Sequence, residues 1–141
     1  MHWIKPALLH SLIIIVVTLA TALVFGIAES LLYPAGTISS LFGTVSTILS
    51  ILAWYFAIRY SAIRMHNKGY ASSAKQIGLF SGVLWLAYIL VLWLLFLRGD
   101  PAASLGYILV AGVIGATINA AVTYLYVSRD RQNIRSFRPQ I

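Results

Sequence analysis

Four apolar runs constrain the fold of this chain more than any other feature of its sequence. They cover residues 7–27, 37–58, 77–97 and 105–127. Each has the roughly 20 residues that a helix needs to cross the hydrocarbon core of a bilayer. The connections between the runs are short, which places consecutive helices side by side and antiparallel. The sequence therefore predicts an all-α, polytopic membrane protein whose residues 1–127 form an antiparallel bundle of four transmembrane helices.

The composition supports lipid rather than water as the main solvent of this chain. Of its 141 residues, 60% are hydrophobic and 9% are charged, whereas a soluble domain carries roughly 25% charged residues. So few charges do not cover the surface of a water-soluble globule. The first run is also longer than the roughly 7–15 apolar residues at the centre of a signal peptide, so we expect it to be retained as a span.

Basic residues lie almost entirely on one side of the four runs. The N-terminal segment, the connection between the second and third runs, and the C-terminal tail carry nine of the ten: Lys5, Arg59, Arg64, Lys68, Lys75, Arg129, Arg131, Arg135 and Arg138. The opposite side carries Arg98. Because cytoplasmic loops are enriched in Lys and Arg, this bias predicts cytoplasmic N and C termini, with residues 128–141 as a basic cytoplasmic tail. Size and basic bias favour a bacterial inner membrane.

The basic residues of the central connection and the tail are also candidate sites for contacts at the membrane surface. They are predicted to bind lipid headgroups or to dock a partner. The net charge of +7 does not predict nucleic-acid binding, because the charges flank the apolar runs instead of forming one basic face. Membrane lipids are therefore expected as partners, and nucleic acid is not.

Residues that carry out catalysis are scarce in this sequence. The chain has no cysteine and three acidic residues, and these acids lie near the ends of the apolar runs. His2, His10 and His66 lack the spacing of a metal site, and no phosphate-binding or hydrolase motif is present. We therefore expect neither an enzyme nor a bound cofactor or metal.

Small residues recur along three of the runs at the spacing of one helix face. They are Gly43, Thr47 and Ser50 in the second run, Gly78 and Gly82 in the third, and Gly112, Ala116 and Asn119 in the fourth. In lipid, small residues allow helix backbones to approach closely, which makes these positions candidates for helix interfaces. The favoured interpretation is packing within one bundle, and the alternative is a face used for a homo-oligomer or a larger complex.

Three polar residues within or at the edge of the runs are candidate intramembrane groups: His10, Glu29 and Asn119. A buried amide in lipid needs a hydrogen-bond partner, and for Asn119 we expect one among Thr44, Thr47, Ser50 and Thr123. His10 is expected to be satisfied by headgroups or water, with proton relay or pH sensing as the alternative. Glu29 is expected at the non-cytoplasmic boundary, so no carboxylate is placed mid-membrane for proton-coupled drug export.

Turn and capping residues mark the connections between the helices. Gly69 is expected to end the second helix, as glycine does when it adopts a left-handed conformation. Ser72 or Ser73 is expected to cap the third helix, and Asp100 is expected to cap the fourth. The connections on the non-cytoplasmic side are short, and no domain is expected there.

The connection between the second and third runs carries a pattern that ends one helix, turns and opens the next. Its residues are Arg59-Tyr60, Arg64, Asn67-Lys68-Gly69-Tyr70, Ser73, Lys75, Gly78 and Gly82. Together with the chain length and the four spans, this segment resembles the AciT-like family of small bacterial inner-membrane proteins. The resemblance implies a role in cell-envelope homeostasis and carries over no catalytic residue.

The sequence leaves three kinds of function open. The favoured one is a non-enzymatic membrane protein that acts by binding membrane partners or lipids, as an accessory subunit or an envelope-homeostasis factor. The second is a small transporter or lipid-carrier flippase, working as a dimer. The third is a toxin-immunity or phage-exclusion membrane protein. The only arguments for it are the small size of the chain and the lack of catalytic motifs in its sequence.

Overall fold

A computed structural model describes residues 2–33, 40–98 and 104–129, and these residues are helical apart from the connecting turns. The helices, in chain order, are α1 (Ile4–Leu32), α2 (Ser40–Asn67), α3 (Ala74–Leu92) and α4 (Leu105–Ser128). A short 3₁₀ helix, Tyr70–Ser73, leads into α3, and a π-helical turn, Trp93–Leu97, continues it.

The four helices are long and apolar enough to cross a membrane, by length and composition. This confirms an all-helical membrane protein with four candidate spans. The predicted spans lie within these helices and the π-helical turn, except that residues 37–39 lie outside the described residues.

The helix ends follow the predicted turn residues in part. Gly69 has a φ of +87°, a left-handed conformation that glycine adopts without steric cost. It lies two residues after Asn67, the last residue of α2. Ser73 precedes α3, but its side chain makes no capping hydrogen bond, because the preceding 3₁₀ helix supplies backbone bonds instead. The cap of α4 is Ser104, whose side chain accepts a hydrogen bond from the Tyr107 N–H. Asp100 lies outside the described residues.

The four helices pack as a ring in the order α1, α2, α4, α3. α1 contacts α2 and α3, and α4 contacts the same two helices, with α3 and α4 forming the most extensive pair. α2 and α3 are therefore diagonal to each other, which decides the side chains that can meet inside the bundle.

Close packing is concentrated at one end of this ring. Apart from Gly112, the buried residues of the described ranges lie in residues 7–14, 57–65, 73–85 and 119–127, which together we call the His10 end. Two apolar clusters fill it: Ala7, Ala62, Met65, Ala74, Ile77 and Val127 form the first, and Ile14, Ala57, Ile58 and Trp85 form the second. In α1 no residue after Ile14 is buried.

Candidate functional site

The glycines of α3 lie where this helix approaches the backbone of α4. A Cβ atom added to Gly78 would lie 2.8 Å from the Ala120 carbonyl oxygen, and one added to Gly82 would lie 2.9 Å from the Ala116 carbonyl oxygen. Real Cβ atoms do not approach backbone oxygens so closely. The two glycines therefore permit a helix contact inside this chain, which is the use that small residues have in lipid.

The small residues of α4 lie against large side chains of α3. These side chains are one to two turns further along α3 than Gly78 and Gly82. A Cβ atom on Gly112 would lie 3.0 Å from Cδ1 of Leu86, and one on Gly115 would lie 2.6 Å from Nε1 of Trp85. Because glycine has no side chain, each of these glycines makes room for the large side chain beside it. The predicted interface residues Gly112 and Ala116 both lie at this contact between α3 and α4.

The small residues of α2 have different surroundings. Nothing lies within 4 Å of a Cβ atom added to Gly43. Thr47 is exposed, and its hydroxyl donates to the Gly43 carbonyl oxygen at 2.8 Å. Ser50 is half-buried and donates to the Ser46 carbonyl oxygen. We call Gly43, Thr47 and Ser50 the α2 small face, and the described part of the chain does not cover it.

A buried polar network joins all four helices at the His10 end. His10 of α1 is 1% exposed, and its Nδ1 and Nε2 atoms lie 2.7 Å from the Ser61 hydroxyl of α2 and 2.9 Å from the Thr123 hydroxyl of α4. The expectation that headgroups or water satisfy His10 is therefore wrong, because two side chains inside the bundle do so. His10 lies six residues beyond the start of α1, roughly 9 Å along the helix axis.

The hydroxyls around His10 satisfy either tautomer of its neutral ring. If Nδ1 carries the hydrogen, it donates to Ser61, whose own hydroxyl hydrogen goes to the Ala57 carbonyl oxygen at 2.6 Å, and Nε2 accepts from Thr123. If Nε2 carries the hydrogen, it donates to Thr123, whose hydroxyl hydrogen goes to the Asn119 side-chain oxygen, and Nδ1 accepts from Ser61. Both ring nitrogens are satisfied, as a polar group in lipid requires.

The network continues to the third helix through Asn119. Its side-chain oxygen accepts the Ser81 hydroxyl at 3.2 Å and lies 3.3 Å from the Thr123 hydroxyl. The expected partner Thr123 is therefore right, whereas the expected partners on α2 are wrong. α2 and α3 both neighbour α4, so the reason is the position along the helices. Ser81 lies opposite Asn119, in the same network as Ser61. Thr44, Thr47 and Ser50 lie in the opposite half of α2 from Ser61.

Towards the middle of the bundle, the network gives way to aromatic side chains. The rings of Trp54 and Trp85 lie 5.2 Å apart, and Tyr88 packs against Trp85. The indole N–H of Trp54 is buried, and no group within residues 2–33, 40–98 and 104–129 accepts a hydrogen bond from it. The apolar cluster around Trp85 separates the His10 network from the opposite end of the helices.

The predicted surface cations that fall within the described residues lie around the His10 end and are exposed: Arg59, Arg64, Lys68, Lys75 and Arg129. The Arg59 guanidinium lies 5.7 Å from the centre of the Tyr126 ring, so part of its charge is engaged within the chain. Arg131, Arg135 and Arg138 lie outside the described residues. Glu29 is half-buried in the last turn of α1.

Two members of the network escaped the sequence analysis as functional candidates, namely Ser61 and Ser81. Ser81 lies between the paired glycines of α3, and Ser61 lies in the basic segment that ends α2. For Ser81 the available signal was a serine beside glycines within a span, whereas Ser61 lies beyond the predicted second run.

No protein-family model, curated protein or solved structure matches this chain.

Proposed function

We propose that this chain is a non-enzymatic membrane protein that acts by binding other membrane components, either partner proteins or lipids. An accessory subunit or an envelope-homeostasis factor fits this description. The role in the envelope rests on the resemblance of residues 59–82 to the AciT-like family. The observation that carries the proposal is the α2 small face, which the described part of the chain leaves uncovered although the small faces of α3 and α4 are packed.

The physical argument rests on helix association in lipid. Apolar side chains gain little by leaving lipid tails for another helix, so association depends on close backbone approach and on hydroxyl groups. Gly43, Thr47 and Ser50 supply both, on one face of α2. We therefore propose this face as the site where a second membrane helix docks, from a second copy or from a larger complex.

A cysteine at position 47 tests this proposal, and the cysteine-free sequence makes the experiment clean. In native membranes, oxidation should link most of the Thr47→Cys variant to a second copy, or a maleimide that carries a photoactivatable group should link it to a partner. Thr117→Cys is the matched control, because Thr117 is also an exposed helical threonine that donates to the carbonyl oxygen four residues earlier.

The control variant also defines which results would contradict the proposal. If neither cysteine gives a linked product, this chain does not associate through either face. If Thr117→Cys is linked and Thr47→Cys is not, the interface lies beside the open apolar groove between α3 and α4, which Thr117 lines.

We further propose a bacterial inner-membrane location, an antiparallel bundle, and cytoplasmic N and C termini, with the His10 end on the cytoplasmic side. The bias of basic residues supports this orientation. In intact cells, a membrane-impermeant maleimide should label Ser30→Cys, near the end of α1, and should label Ser72→Cys only after permeabilisation. Both serines are exposed. Labelling of Ser72→Cys in intact cells would contradict the orientation.

A further inference from the structure

A small cleft opens between α1 and α2 beside the buried network. Leu9 and Ile13 of α1 and Met65 of α2 form its walls, and the hydrogen-bonded pair His10 and Ser61 lies at its floor. Its interior volume is about 30 Å³, more than the roughly 10–15 Å³ that one water molecule requires. The cleft therefore has space for a water molecule or another small group, and a larger ligand has to rest at its mouth.

Two cations flank this mouth without a counter-ion from the described part of the chain. Arg64 and Lys68 line the cleft and are exposed. Arg64 lies in the last turn of α2, and Lys68 directly follows the helix, with its N–H donating to the Arg64 carbonyl oxygen at 3.2 Å. At this spacing like charges repel each other. Glu29, the one acidic residue within residues 2–33, 40–98 and 104–129, lies near the far end of α1. An anion from outside this part of the chain is thus needed to balance the pair.

The floor of the cleft has no donor left for such an anion. In either tautomer the Ser61 hydroxyl hydrogen is used, because it is donated to the Ala57 carbonyl oxygen or to Nδ1 of His10, and a hydrogen on Nδ1 is donated to Ser61. Arg64 and Lys68 are therefore the groups that bind the negative charge, and the walls below them are apolar. A free inorganic anion would use the cations alone, whereas a lipid would use the cations and the walls.

We propose that this cleft binds an anionic phospholipid. The phosphate lies at the mouth of the cleft, between Arg64 and Lys68, and an acyl chain follows Leu9 and Ile13 along α1. Leu9 is exposed beside the mouth of the cleft, so the acyl chain has a continuous apolar path into the bilayer. Two adjacent cations favour a headgroup without an ammonium, because an ammonium would be repelled. This inference rests on the proposed function and names the class of lipid bound.

Removal of the two charges tests the site. The full-length chain is placed in nanodiscs of phosphatidylcholine with phosphatidylglycerol, and lipids that stay bound are counted by native mass spectrometry. The double variant Arg64→Gln with Lys68→Gln should retain phosphatidylglycerol about 30-fold less than the unchanged chain, from two lost headgroup contacts. The control pair Lys5→Gln with Arg98→Gln removes the same charge from exposed positions that do not line the cleft, and should retain the lipid.

Three outcomes would overturn this inference. If the cleft and control variants lose phosphatidylglycerol equally, the effect comes from general surface charge. Equal retention in the cleft variant and the unchanged chain would remove the site. Displacement of the lipid by inorganic phosphate at low millimolar concentration would identify a free-anion site.

The unfolding midpoint of the cleft variant, compared with that of the control variant, separates loss of binding from loss of folding.

The crosslink at Thr47→Cys is an independent readout. If it persists while lipid retention does not respond to the charges, the inference fails and the proposed function stands. If the crosslink is absent while the lipid responds, docking at the α2 small face fails and the lipid site stands.

Discussion

Replacement of Gly82 by leucine should destabilise the bundle by about 3 kcal/mol. The new Cβ atom would lie 2.9 Å from the Ala116 carbonyl oxygen and 3.1 Å from the Ala120 Cβ atom. Both atoms belong to the helix α4 itself and cannot move away as a flexible side chain can. α3 and α4 therefore have to separate, and the contact that forms the most extensive helix pair is lost.

Unfolding in mixed micelles with increasing dodecyl sulfate, followed by tryptophan fluorescence, measures this effect. Trp85 packs in the apolar cluster beside α4 and should report the separation of the two helices. Gly26→Leu is the matched control, because nothing lies within 4 Å of a Cβ atom at Gly26. Its free energy of unfolding should stay within about 0.5 kcal/mol of the unchanged chain. Equal unfolding midpoints for the two variants would show that α3 and α4 do not pack as described.

Replacement of His10 by alanine should cost about 3 kcal/mol of unfolding free energy. The change removes hydrogen bonds to α2 and α4 and leaves a cavity where the imidazole was buried. The loss is limited because neither hydroxyl is left without an acceptor. Ser61 keeps its bond to the Ala57 carbonyl oxygen, and the Thr123 hydroxyl can turn to the Asn119 oxygen at 3.3 Å.

The same unfolding experiment measures this variant, with His2→Ala as its control. His2 is exposed, so the control should change the free energy by at most about 0.5 kcal/mol. A double-mutant cycle with Thr123→Val isolates the bond between His10 and Thr123, with an expected coupling of about 1 kcal/mol. A coupling of zero would mean that the two side chains do not interact in the folded protein.

The four spans were predictable because their signal is local. A run of apolar residues long enough to cross the bilayer has to be helical, since no other open structure satisfies its backbone in lipid. The same holds for Gly69, whose left-handed conformation at the end of α2 follows from residue type. Neither inference requires knowledge of which helix lies beside which.

The partners of the buried polar residues were not predictable in the same way. His10 and Asn119 stood out because polar residues are rare in spans. Their contacts with Ser61 and Ser81 depend on the ring order of the helices and on the rotation of each helix about its axis. Hydropathy carries no information on either, and this explains why a partner for Asn119 was sought on the wrong helix.

The uneven distribution of buried residues has a mechanical consequence for a protein in a bilayer. The polar bonds between helices described above lie at the His10 end, whereas α1 has no buried residue in its second half. Changes in bilayer thickness or lateral pressure should therefore change the distance between the second half of α1 and the first half of α2. The His10 end should keep its packing. Amide exchange should be slowest around His10 and Asn119 and should respond to lipid chain length only beyond Ile14.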